Sequence, residues 1–336
     1  MPFRLLARAA AGLAICAATL PASAYSGLVV FGDSLSDSGN NALLLAPLFG
    51  GTLPSVQVSG DGFYSWLPSA ASTYSNGPVW TQYLAQSLGL PLAPSLAGGT
   101  NYAYGGAQTG IDGHDVPGLP GFPYSLRHQL DGYLGATHHV ADPDALYIVA
   151  GGGNNVRFAL EAIAAGADAA TTGAATVASY ASDVAGLVGD LKLAGARHVL
   201  VMNTPNFGLT PLASAMGVST EATALSWAMD TALATALAGS DVRTFDMFGF
   251  LTATVAAGPA SGFSDWTHAC AAAVNACDVT TSLFWDGIHP TTAAHQQLAA
   301  AVLATAVPEP DVATMLAVGL LVMALGRRRR AGVQQG

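Results

Sequence analysis

Leu28-Val29-Val30-Phe31, followed at once by Gly32-Asp33-Ser34-Leu35-Ser36-Asp37-Ser38-Gly39-Asn40, is an apolar run that ends in a turn of small and acidic residues. Four consecutive apolar side chains with no polar alternation fit a strand covered on both faces, as in a parallel sheet. The turn after such a strand opens at the carboxyl edge of the sheet. Ser34 is therefore presented where a substrate can reach it and where a helix N-terminus favours developing negative charge. The same residues taken alone also suit a plain helix cap, because Asp and Ser are common cap residues.

The pattern continues outward. Asn101 to Tyr104, Ala145 to Ala150, His198 to Met202 and Val242 to Phe245 read as further buried strands. Between them Val79 to Leu88, Tyr124 to Leu134, Val156 to Ala165, Ala174 to Ala194, Glu221 to Ala238 and Thr292 to Ala304 carry helical patterns. Alternating strand and helix imply an α/β fold with a parallel sheet and helices on both faces, whose sites lie at the carboxyl ends of the strands. Gly50 to Ser75 and Thr109 to Pro123 are rich in Gly, Pro and Ser and read as long loops rimming that edge. Phe63, Tyr64, Trp66, Phe122 and Tyr124 in and beside those loops are candidates for an apolar substrate pocket or for ordinary loop packing. No internal repeat or interdomain linker stands out, so residues 25–306 form one large domain.

Three further segments fall where chemistry is expected. In Trp285-Asp286-Gly287-Ile288-His289-Pro290 one short loop presents an Asp three residues before a His, so the carboxylate can orient the imidazole that a serine nucleophile needs as base. Asn101-Tyr102-Ala103-Tyr104-Gly105-Gly106-Ala107 and Ala150-Gly151-Gly152-Gly153-Asn154-Asn155 each follow a strand. Glycine lets a backbone N–H approach a reacting oxygen, and Asn154 offers an amide donor. Each segment alone also reads as an ordinary polar or Gly-rich turn.

Together, and in this order, the four segments resemble the blocks of the SGNH or GDSL hydrolase family, and Ser75-Asn76-Gly77-Pro78-Val79-Trp80-Thr81-Gln82-Tyr83-Leu84 is similar to the stretch that precedes the second block. The resemblance implies a three-layer α/β/α sandwich around a five-stranded parallel sheet, flavodoxin-like in arrangement. It implies a serine ester hydrolase, an esterase or lipase, with Ser34 as nucleophile, His289 as base and Asp286 as its partner. The Ser34 and Gly106 N–H groups and the Asn154 amide would form the oxyanion hole, with Gly105 a possible one-position alternative to Gly106. The chain departs from the family at Asn155, where Asp is usual, so altered hydrogen bonding is expected there. No cofactor is implied, and the substrate would be an acyl ester: a lipid, a small ester or an acylated polysaccharide. Two other readings stay open: acyl transfer to an acceptor other than water, and a non-catalytic surface or polysaccharide-binding protein, which predicts substitutions within the blocks.

The ends read as targeting segments. Arg4 and Arg8, the apolar Leu13 to Leu20 and Ala22-Ser23-Ala24 form a secretory signal over residues 1–24. In residues 307–336, Val307-Pro308-Glu309-Pro310 precedes an uncharged apolar segment, Val312 to Gly326, and then Arg327 to Arg330. Basic residues favour the cytoplasmic side, leaving the body outside. The order resembles the PEP-CTERM sorting signal, which implies an inner-membrane-tethered precursor, an exosortase-like processing partner and delivery to the cell surface; a plain anchor is the simpler alternative. Between the two ends five basic residues face nineteen acidic ones, a net charge of −14, which disfavours nucleic acid and anionic membranes. Cys270 and Cys277 are the cysteines left in the body and form a candidate disulfide. The histidines show no metal-ligand spacing; His138-His139 reads as a solvated pair and His295 as a surface residue.

Overall fold

The computed structural model describes residues 25–113, 116, 119–275 and 277–307. The signal segment 1–24 and all but Val307 of the tail lie outside the described residues. In chain order the elements are β1 (Leu28–Gly32), α1 (Asn40–Leu45), α2 (Trp80–Leu88), α3 (Leu126–Ala136), β2 (Leu146–Ala150), α4 (Gly153–Ala164), α5 (Ala169–Leu193), β3 (His198–Met202) and α6 (Pro211–Ala215). They continue with α7 (Ser219–Ala236), β4 (Arg243–Phe245), α8 (Met247–Ala257), β5 (Asp265–Ala269), β6 (Ser282–Phe284) and α9 (Thr292–Ala306).

The main sheet is parallel, in the order β1-β2-β3-β4. Its register brings Gly32, Ala150, Met202 and Phe245 into one row, so the carboxyl ends of all four strands open on the same edge. Alternate side chains enter opposite layers, which is why the strands carry no polar alternation. Val29, Phe31, Tyr147, Val149, Val199 and Val201 pack under α3, α4, α5 and α7. Leu28, Val30, Ile148, Leu200, Met202 and Phe245 pack against α2 and α9. Each such side chain withdrawn from water stabilises the sandwich by about 1.5–3 kcal/mol. The α/β/α layering expected from the sequence is therefore present.

The fifth strand differs from expectation. Residues 100–104 run beside β1 and make three backbone hydrogen bonds with it, Val30 N to Thr100 O, Tyr102 N to Val30 O and Tyr104 N to Gly32 O. Yet only Asn101 forms a ladder bridge to β1. Asn101 turns its own side chain onto the Ala103 N–H, while the Asn40 amide caps the Asn101 and Ala103 carbonyls. Local side-chain bonds thus replace regular strand geometry at this edge.

One further reading is corrected. His295 is buried, because α9 turns His295, Leu298, Ala299 and Val302 inward against α2. Burial, with the nearby His289, holds its imidazole down to about 3, and neither ring nitrogen has a partner among the described residues. A separate parallel pair, β5 and β6, also forms, and the disulfide Cys270–Cys277 closes a loop between its strands. His138 and His139 are exposed, as expected. No described helix is long and apolar enough to cross a membrane.

Candidate active site

Ser34 sits in the turn that leaves β1. The Asp33 carbonyl accepts the Ser36 and Asp37 N–H groups, and the Asp33 carboxylate accepts the Leu35 N–H, so the turn is closed from both sides of the serine. Burial raises the Asp33 carboxyl to about 6, with the Leu35 N–H and the charge of His289 acting the other way. Gln129 fixes the strand end: its side chain accepts the Gly32 N–H at 2.8 Å and donates to the Gly32 carbonyl at 2.9 Å.

The loop between β6 and α9 brings the two remaining groups to the serine. His289 Nε2 lies 2.8 Å from Ser34 Oγ, and His289 Nδ1 lies 2.8 Å from Asp286 Oδ2. Asp286 is held by backbone donors as well: Oδ1 accepts the N–H groups of Ile288 and His289, and Oδ2 accepts that of Ser65. With Nδ1–H held by the carboxylate, the Nε2 lone pair faces the hydroxyl. All three side chains are almost wholly buried. The Gly50 to Ser75 segment packs over this turn, as its reading as a rim predicted. Its Phe63 carbonyl accepts the Gly287 N–H, and the Tyr74 ring lies 5.1 Å from the His289 ring.

The structure separates the two oxyanion candidates of the second block. The Gly105 N–H donates to Asp37 Oδ2 at 3.2 Å, while the N–H groups of Gly106 and Ser34 have no acceptor among the described residues. Gly106 adopts φ 87°, and a Cβ there would come within 2.7 Å of Pro123 Cγ, so only glycine fits the turn. The third candidate donor, Asn154, opens α4 after the Gly152 turn. Its Nδ2 donates to Ala107 O at 3.0 Å, leaving one amide hydrogen, and its Oδ1 faces Arg157 Nε at 3.4 Å. Asn155 also bonds differently from an Asp. Its Oδ1 accepts the Thr109 N–H and its Nδ2 donates to Thr109 Oγ1, which in turn donates to Asp183 Oδ2 at 2.8 Å.

Several of these groups were not singled out from sequence. Asp37 is wholly buried and accepts the N–H groups of Gly39, Asn40, Asn41 and Gly105, tying the Ser34 turn to the second block. Burial pushes its carboxyl up to about 6 against those donors. Its place before Gly39-Asn40 and an apolar helix is a cap signature that could have revealed it. Arg157, one of few basic residues in the body, lies one helical turn after Asn154. For Gln129 and Asp183 no sequence signal is evident.

Of the five aromatic residues considered for a pocket, Tyr64 stands beside the site, its ring 5.7 Å from that of His289, and the other four do not line the cleft at Ser34. Phe122 and Tyr124 pack with Leu45 and Tyr104, Phe63 packs with Val58, Tyr64 stacks under the Arg157 guanidinium, and Trp66 is exposed. The cleft is built instead from Phe207, Met247, Leu251, Phe284, Ala294 and Leu298, with Ser34, Asn154 and His289 at its wall.

Residues 28–302 match the sequence profile of the GDSL-like lipase/acylhydrolase family. Lipase 1 of Photorhabdus luminescens is 34% identical over 190 residues, 56% of this chain and 24% of that protein. A GDSL esterase/lipase of Arabidopsis thaliana is 26% identical over 325 residues, covering 82% of this chain and 88% of its own. Among solved structures, a carbohydrate acetylesterase of Sinorhizobium meliloti aligns with 83% of this chain and 96% of its own, at 17% identity and a TM-score of 0.42. The chain thus spans about a quarter of the bacterial lipase it matches.

Proposed function

The chain belongs to the GDSL-like lipase/acylhydrolase family, and on that footing we propose that it is an exported carboxylic ester hydrolase working through Ser34, His289 and Asp286. The observation that carries this reading is the unbroken buried relay from Ser34 Oγ to His289 Nε2 and from His289 Nδ1 to Asp286, each step 2.8 Å. In the reaction, His289 takes the hydroxyl proton as Ser34 Oγ bonds to the ester carbonyl carbon. Asp286 stabilises the imidazolium. The tetrahedral oxyanion is received by the N–H groups of Ser34 and Gly106 and the remaining Asn154 amide hydrogen. Collapse expels the alcohol, protonated by His289. Water, deprotonated by the same imidazole, then releases the acid and restores Ser34. The step needs no cofactor.

Export rests on sequence: the signal segment over residues 1–24 and the proline, apolar and arginine order of residues 307–336. A disulfide between Cys270 and Cys277 suits an oxidising compartment. In this reading a tail-held precursor meets an exosortase-like enzyme, and the mature protein reaches the cell surface without its tail. Mass spectrometry of secreted material decides this, since an intact C-terminus through Gly336 contradicts processing. For the activity itself, release of p-nitrophenol from p-nitrophenyl esters by the purified protein, set against Ser34→Ala, is the test. Turnover by a well-folded Ser34→Ala variant at more than a few per cent of the parent's rate ends the assignment.

A further inference from the structure

The cleft at Ser34 runs inward, between the nucleophile turn, the segment after β3, the start of α8, β6 and the first two turns of α9. Its walls come from stretches far apart in sequence, Phe207, Met247, Leu251, Phe284, Ala294 and Leu298, every one of them buried. Outside the reacting groups the polar side chains along it are those of Asp33 and Thr210. Asp33 accepts the Leu35 N–H, and Thr210 donates to the Phe207 carbonyl while accepting the Ala213 N–H. Beyond the reacting groups and the Asp33 carboxyl the cleft therefore offers hydrocarbon, with no free donor or cation to hold a phosphate. Such a surface gains by taking up an alkyl chain.

Its size sets a limit. The free volume is about 50 Å³, whereas an apolar cavity of about 150 Å³ is what accepts the six carbons of benzene. By that measure the cleft holds about two carbons past an acyl carbonyl placed at Ser34, with a third at its mouth. The floor does not yield readily. Leu251 and Phe284 pack with Phe263 and Leu283, and Leu298 is embedded with Met202 and Val302 against the sheet. Enlarging the space means displacing close-packed core side chains.

We propose that this cleft is the acyl subsite and that its small volume and close-packed floor restrict the protein to esters of acids of two to four carbons, the alcohol portion lying outside. The inference rests on the ester-hydrolase reading of the same site. Ala294 and Leu251 are then specificity-determining residues. The test is kcat/KM of the full chain for p-nitrophenyl acetate, butyrate and octanoate, measured on the parent, Ala294→Leu, the milder Ala294→Val and Leu251→Ala, with folding checked by circular dichroism.

The parent should favour butyrate over octanoate by at least about 10-fold, the lower end of what the fit of one methylene in an apolar pocket is worth. Filling the cleft at Ala294 should lower the butyrate-to-acetate ratio by about 10-fold with Leu and less with Val. Opening its end with Leu251→Ala should raise the octanoate-to-butyrate ratio by about the same factor. Octanoate hydrolysed as well as butyrate by the parent, or ratios unchanged in the folded variants, would overturn the acyl subsite while leaving the hydrolase reading standing. Absence of hydrolysis of every ester by the parent would overturn both.

Discussion

Replacing Asn154 by alanine removes the only side-chain donor assigned to the oxyanion, and the structure sets the size of the effect. One Asn154 amide hydrogen is held by Ala107 O at 3.0 Å, and Arg157 on Oδ1 fixes which way the amide faces. The second hydrogen is left free in the cleft that Asn154 shares with Ser34. Loss of one preorganised donor costs about 10²–10³ in kcat, about 2.7–4 kcal/mol of transition-state stabilisation. Because the bond strengthens only as charge develops, kcat and kcat/KM should fall together with little change in KM. The same substitution strips the Ala107 carbonyl of its donor, so stability to urea should drop by about 1–3 kcal/mol. Asn154→Asp should lose more activity than the alanine variant, since a carboxylate oxygen then opposes both Ala107 O and the oxyanion. Steady-state kinetics on p-nitrophenyl acetate give the measurement. A threefold or smaller change in kcat for well-folded Asn154→Ala, or an effect confined to KM, refutes the oxyanion role.

Gly106→Ala forces a side chain to φ 87° and against Pro123, so kcat should fall by about 10²-fold or more as the N–H swings away, with the fold retained by circular dichroism. Asp183→Ala deprives Thr109 Oγ1 of its acceptor and loosens the segment that carries Gly106, and kcat should drop about 10-fold with KM unchanged. Asp183→Asn, whose carbonyl can accept the same bond, should recover most of that rate. Asp230 has its carboxyl raised to about 8 by burial, against the Thr204 N–H it accepts and with a smaller push from Asp246, so the folded chain keeps a proton that the unfolded chain has lost. Its contribution to stability is present below pH 4 and is lost as pH rises from there through about 8; urea midpoints should show Asp230→Asn with a shallower decline over that window than the parent. Equal slopes would contradict the burial argument.

The strands were legible because burial on both faces removes polar residues, leaving short runs such as Leu28 to Phe31 and Ala145 to Ala150. The Ser34, Asp286 and His289 segments were legible because each lies in a turn at a strand end or helix start. Helix α8 was not, since its sequence from Met247 to Ala257 is apolar on nearly every side and gives no 3.6-residue period. His295 was misplaced because its polar type outweighed its spacing with Leu298 and Val302, the buried stripe of α9. The aromatic loop residues invited a pocket assignment, but large rings close to one another in the chain find each other first, as Phe122, Tyr124 and Tyr104 do. The lining of the cleft at Ser34 was hidden for the opposite reason: Phe207, Leu251, Phe284 and Ala294 meet only after the sheet has brought their loops to one edge.

The central claim is that Ser34 becomes covalently acylated with His289 as its base, and a fluorophosphonate that labels activated serines tests it most directly. Intact-mass and peptide mapping after brief exposure should find one adduct, on Ser34. The adduct should be absent from Ser34→Ala and formed at least about 10²-fold more slowly in His289→Ala, where general-base help is gone. An adduct on another residue, or labelling of Ser34 at an undiminished rate without His289, would contradict the account.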